Sequence, residues 1–203
     1  MFHHIPRTGG VTLEAAFREI YGRGNVSSAD GATPDLQVLV TDRPYYMYDF
    51  PDRLHITILR DPIERLLSWL RFHREGLLGE NLLHPEADTH PGEEYLQRVD
   101  DEKVAHGVRD RFVRQLGGDW RHDPIPIETA FAIALGRLNR MFWVGQTETL
   151  DTDMARLFDM LDQPNPMISP QNASQGPHID LDMGVLEELT RWDRRLIEAW
   201  NRP

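Results

Sequence analysis

Cysteine is absent from this 203-residue chain, lysine occurs once (Lys103), and no apolar run approaches the length of a membrane span. Without cysteine there is no disulfide framework, no thiolate metal site and no thiol nucleophile, and the simplest localisation is cytoplasmic. No basic leader or small-residue cleavage site stands at the start, and ordered structure is expected from Phe2. Positive charge is also short, with 22 Lys and Arg against 33 Asp and Glu, a net charge of −11. That balance argues against nonspecific nucleic-acid binding, which releases counterions through clustered excess positive charge. No Walker A pattern G-x-x-x-x-G-K-[ST], no three-glycine dinucleotide fingerprint, no H-E-x-x-H and no internal repeat occurs.

What the chain does have is an alternation of short apolar runs and amphipathic stretches over a length suited to one domain. Phe2–Ile5, Leu36–Val40, His55–Leu59 and Phe142–Val144 read as strands. Helical periodicity begins near Val11, at Pro62, near Glu93 and Lys103, and over 127–138, 150–161 and 186–200. Gly22–Pro34, Gly76–Gly92 and Gln163–Pro177 read as loops. The expectation is a single α/β domain over 1–203, a mainly parallel sheet flanked by helices in three layers, with a helical and loop insertion at about 76–126. In such sheets ligands collect beyond the C-terminal strand ends.

The first of those ends carries Pro6-Arg7-Thr8-Gly9-Gly10-Val11-Thr12. Pro6 stops the strand because it has no N–H to donate. Gly9 and Gly10 let the backbone turn sharply into a helix whose core face holds Leu13, Ala16, Phe17 and Ile20. A turn of that kind gathers free N–H groups and the positive end of the helix dipole at one spot, and Arg7 adds a full charge. The chemistry selects an anion, although the same pattern also serves ordinary strand-to-helix connections.

A second anion site lies in Leu59-Arg60-Asp61-Pro62-Ile63-Glu64-Arg65-Leu66-Leu67-Ser68. Asp61 is placed to cap a helix with Pro62 as its first residue, and Ile63, Leu66, Leu67 and Leu70 form its core face. Arg60 ends the strand, and Ser68 follows about two turns later, roughly 10 Å along the axis. An extended Arg side chain and a Ser hydroxyl at that spacing can share one phosphate. Two anion sites on neighbouring strand ends suit a ligand with phosphate at both ends.

These two stretches resemble the carbohydrate-type sulfotransferases, a P-loop-like family that opens with H-I-P-K-T-G-G-T-[ST] and later carries L-R-D-P-[VI]-E-R-x-x-S. Further echoes are Arg111–Gly118, Phe142-Trp143-Val144-Gly145-Gln146-Thr147-Glu148 and Asn172-Ala173-Ser174. The resemblance implies 3′-phosphoadenosine 5′-phosphosulfate as co-substrate, no metal, and an acceptor hydroxyl on a glycan or small molecule. It places the 5′-phosphosulfate on Arg7 and the backbone of Thr8, Gly9, Gly10, Val11 and Thr12, and the 3′-phosphate on Arg60 and Ser68. Positioning, charge stabilisation at the leaving phosphate and a base for the acceptor then carry the catalysis.

Two positions depart from the family pattern. Arg7 replaces a lysine, keeping the charge on a larger planar fork. Asp42, in Thr41-Asp42-Arg43-Pro44-Tyr45, stands where many relatives carry the acceptor base His before Pro-Tyr. Asp42 is thus the candidate base if burial strengthens it; otherwise it caps a turn or pairs with Arg43. His3 and His4 point to opposite faces of one strand, so at most one can reach the sulfuryl site. Tyr45, Tyr46 and Tyr48 could line an acceptor or adenine pocket or pack in a core. His84, Asp88 and His90 read as a solvated loop rather than a metal site. Two rivals to the sulfotransferase reading are a kinase-like enzyme on the same architecture and a non-catalytic module that only binds the nucleotide.

Overall fold

The structure, a computed structural model, describes residues 1–28, 36–42, 50–74, 107–118, 124–166, 168–169 and 181–201. Their contacts divide the chain into two units, 1–60 with 137–173 and 61–136 with 174–203. Among the described residues no helix is long and apolar enough to cross a membrane.

The first unit is built on a sheet of five parallel strands, β1 (Phe2–His3), β2 (Val26–Ser28), β3 (Val38–Thr41), β4 (Ile56–Leu59) and β5 (Trp143–Gln146), in the order β2-β3-β1-β4-β5. Phe2 is paired with Val40 on one side and Ile56 on the other, which places β1 at the centre. β3 and β4 are buried at every position, as strands inside a parallel sheet are when both faces are covered. The fold class is the helix-flanked parallel α/β sheet that the alternation of runs predicts. One strand differs. Val26–Ser28 falls inside the stretch read as a polar loop and pairs with β3 through Val26–Val38.

Helices α1 (Gly10–Tyr21) and, after a single 3-10 turn at Thr147–Thr149, a second helix (Leu150–Met160) pack on one sheet face. Leu13, Ala16 and Phe17 meet Met154, Leu157 and Phe158 over Phe2, Val40, Ile56 and Ile58, all buried. Phe17 and Phe158 touch edge to face at 5.6 Å, the arrangement favoured by ring quadrupoles. The opposite face carries Leu39, Thr41, His3 and Thr57, also buried. There Thr57 Oγ1 donates to the His3 carbonyl at 2.8 Å, so the polar side chain is satisfied inside the sheet.

The second unit is helical among its described residues. In chain order, α2 spans Pro62–Arg74, α3 Arg111–Gly117, α4 Ile127–Leu138 (the last two residues of which fall in the first unit), α5 is the Leu150–Met160 helix above, α6 spans Met183–Leu189 and α7 Arg191–Trp200. The start of α2 is as the sequence predicts: Asp61 Oδ1 accepts from Glu64 N–H at 2.9 Å, with Pro62 in the first turn. Leu66 and Leu70 pack with Val108, Leu186 and Leu189. The single helix expected over 186–200 is two, broken at Thr190, whose hydroxyl turns back to the Leu186 carbonyl at 2.8 Å.

Two carboxylates tie α3 to α7. Asp193, in the first turn of α7, accepts from Phe112 N–H at 3.1 Å and Val113 N–H at 2.9 Å, the donors that the start of α3 leaves open. Asp110, the residue before α3, returns the contact: its Oδ1 accepts from Trp192 N–H at 2.8 Å and Asp193 N–H at 3.3 Å. Burial raises both carboxyls, Asp110 to about 6 and Asp193 to about 7, and for Asp193 the nearby Asp110 raises it further.

Candidate functional site

The connection from β1 to α1 makes its turn with two residues in left-handed backbone, Arg7 at φ 73° and Gly9 at φ 84°. Glycine takes this conformation freely, whereas for arginine it costs about 1–2 kcal/mol. Strain of that size persists only where the surroundings fix it. Here they do. Thr8 Oγ1 donates to the Ile5 carbonyl at 2.8 Å. Arg60 Nη1 donates to the Arg7 carbonyl at 3.2 Å. Thr147 Oγ1 lies 2.8 Å from the Thr8 carbonyl and 3.0 Å from that of Leu59, sharing its proton between them. The Gly9 carbonyl accepts from Thr12 N–H at 3.0 Å.

The carbonyls of Ile5, Arg7, Thr8 and Gly9 thus each face a donor of the protein. The opening turn of α1 adds to this: Gly9 has no side chain to cap it, and no acidic residue lies in the first turn. Arg7 and Arg60 bring two guanidinium groups to one loop, since Arg60 reaches the Arg7 backbone from the end of β4. β1 and β4 are neighbours whose connections depart toward opposite edges of the sheet, the place where parallel α/β sheets bind ligands.

Gly10 is fixed by packing. A Cβ there would run into the imidazole of His4, whose ring stacks on Phe2 with centroids 5.5 Å apart. His4 is therefore the histidine of the pair that lies against the loop. His3 is the core one: it is buried, its Nε2 lies 2.8 Å from His55 Nδ1, and the rings stack at 5.1 Å. Burial first, then the neighbouring His55, the N-terminal amine and Arg137, hold the His3 imidazole well below its ordinary value, so it stays neutral.

The remaining sequence-predicted residues are distributed as follows. Thr8 and Thr12 are buried, and Val11 is exposed at the first turn of α1. Asp42 follows β3 directly and so stands at the same end of the sheet as the Arg7 loop, with His3 paired to Thr41. It is exposed, and the burial that would strengthen it as a base is not provided. Ser68 belongs to the second unit, in α2, and is 2% exposed. Tyr45, Tyr46, Tyr48, the 76–92 loop with His84, Asp88 and His90, and Asn172–Ser174 lie outside the described residues. Among the described residues no group of three or more His, Asp or Glu is placed to hold a metal ion.

Thr147 is the site residue that reading the sequence misses. Its signal is faint: a threonine after β5, inside the Gly145–Glu148 stretch, with no motif of its own. Arg60 also has a part beyond the one expected, as a clamp on the loop backbone. The chain matches no protein-family model and no curated protein.

Proposed function

We propose that this protein is a sulfotransferase that takes its sulfuryl group from 3′-phosphoadenosine 5′-phosphosulfate and passes it to an acceptor hydroxyl of a glycan or small molecule. The observation that carries the reading is the loop from Pro6 to Gly10: left-handed at Arg7 and Gly9, its carbonyls turned to protein donors, the first turn of the helix it opens free of acidic residues, and two arginines at its edge. The family resemblance of the Arg7 and Arg60 stretches gives the anion its identity.

In this reading the amides of Thr8–Val11 and the Arg7 guanidinium hold the 5′-phosphosulfate, the Thr12 amide being spent on the Gly9 carbonyl, and Arg60 holds the 3′-phosphate. The acceptor oxygen attacks sulfur as the bond from sulfur to the bridging phosphate oxygen breaks. The acceptor proton passes to a base, for which Asp42 is the candidate, and the negative charge that grows on the departing 5′-phosphate is met by Arg7 and the helix N-terminus. Preorganised donors suit this task because they need no reorientation as charge develops.

One observation favours a second reading. Asp42 is exposed, and an exposed carboxylate is a weak base, so a module that binds the nucleotide without turning it over is the alternative. A kinase-like activity lacks the Lys-Ser/Thr pair that would hold phosphate and Mg²⁺. An acceptor screen with donor radiolabelled in sulfur separates these readings: transfer supports the enzyme, and tight product binding without transfer supports the module.

A further inference from the structure

At the other end of the first unit, beyond the N-terminal ends of β4 and β5, lies an open cavity of about 670 Å³. Its lining includes Arg53, Arg137, Arg140, His55, Leu54 and Phe142, and no Asp or Glu is among its described lining residues. In a chain where acids outnumber bases 33 to 22, three arginines stand among the described lining residues of one cavity and no carboxylate does. The histidine does not supply that charge. His55 Nε2 lies 2.9 Å from the Phe50 carbonyl and so carries the proton, which leaves Nδ1 to accept from His3. Arg53 is held in position, donating to the Leu36 carbonyl at 2.7 Å.

A second cavity of about 330 Å³ shares Arg53, Leu54 and Phe142 with the first, so the two adjoin. Its wall is mostly apolar, with Phe2, Phe17, Tyr21, Ile56 and Leu161. The pair offers guanidinium groups at one side and aromatic and aliphatic surface at the other. We propose that this end of the sheet binds an amphipathic organic anion, with a phosphate, sulfate, sulfonate or carboxylate headgroup on the arginines and a compact apolar body against Phe142 and the second cavity. Arginine forks suit oxyanions through paired N–H donors. The apolar wall adds affinity through area removed from water. The site is separate from the Arg7 loop, with four-residue β4, roughly 13 Å long, running between the two ends of the sheet.

Calorimetric titration of the full chain with naphthalene-2-sulfonate tests the proposal. Inorganic sulfate serves as the headgroup alone, and 2-naphthalenemethanol as the uncharged body. Each part should bind about tenfold or more weakly than the whole probe. Arg137→Ala and Arg140→Ala should each weaken the probe about tenfold or more, and Leu54→Glu should do the same by setting a carboxylate in the shared wall. Arg140 and Leu54 are exposed, so those two variants keep the fold readable even where Arg137→Ala does not. Arg7→Ala should leave probe affinity unchanged. Affinity insensitive to Arg140→Ala and Leu54→Glu, equal binding of the uncharged body, or loss of binding on Arg7→Ala would each overturn the assignment.

Discussion

Arg60 Nη1 donates to the backbone carbonyl of Arg7 across 53 residues of chain, so the side chain at the end of β4 holds the strained residue of the β1–α1 turn. The two arginines act on the same loop, one through its own charge and the other also through the backbone it clamps. Removing Arg60 should therefore do two things. Arg60→Ala is expected to weaken 3′-phosphoadenosine 5′-phosphate by about 1.5–3 kcal/mol and to lower stability by about 0.5–1.5 kcal/mol, read by calorimetry and urea unfolding. A residue that bound only ligand would leave the urea midpoint where it is.

Gly10 and His4 are coupled by space. Gly10→Ala sets a methyl group against the His4 ring and should cost about 1–3 kcal/mol. His4→Ala made alongside it should recover much of that loss. Thermal unfolding of the two single variants and the double variant tests this, and additive losses would mean that the ring is not what excludes the methyl.

The Asp110–Asp193 pair gives the protein a definite pH dependence. Both carboxyls are raised in the fold above the ordinary aspartate value, so the folded state holds more protons than the unfolded state between about pH 4 and 7. Their contribution is fully present below pH 4 and is lost as pH rises through 6 to 7. Asp110→Asn removes one charge while keeping both hydrogen bonds, which go to Oδ1 alone, and asparagine tolerates the left-handed backbone at φ 46°. It should stabilise the protein at pH 8 by on the order of 1–2 kcal/mol and flatten the slope between pH 4 and 7. Urea midpoints across that range decide it, and an unchanged slope would contradict the pairing.

How far the sequence could be read depended on how local the cause was. The Asp61 cap, the Pro62 start and the strand-to-helix turn at Gly9 are set by residues within a turn of each other, and the structure has them as expected. Strand β2 escaped because Val26-Ser27-Ser28 is short and polar, and becomes a strand by pairing with β3. The fully buried Arg65 escaped for a related reason. Its Nη2 donates to the Gly107 and Val108 carbonyls, more than 40 positions away, and no local pattern announces such acceptors. The same holds for Thr147, whose partner Thr8 lies 139 positions earlier. At the candidate site, the charged residues were legible and the clamps that orient them were not.

Asp42 is tested by turnover once an acceptor is found. If it takes the acceptor proton, Asp42→Asn should keep nucleotide affinity and lower turnover by about 10²–10⁴. Asp42→His should restore part of the loss. Turnover that is indifferent to Asp42→Asn would move the role of base elsewhere, with His4, which packs against Gly10, as the next candidate.

The most direct measurement is a pair of calorimetric titrations of the wild-type protein, one with 3′-phosphoadenosine 5′-phosphate and one with AMP, repeated in EDTA. The two ligands differ in the 3′-phosphate that Arg60 is proposed to read. The account predicts that the bisphosphate binds about tenfold or more tightly than AMP, with no change when divalent metal is removed. Equal affinities for the two nucleotides, or binding that vanishes in EDTA, would contradict it.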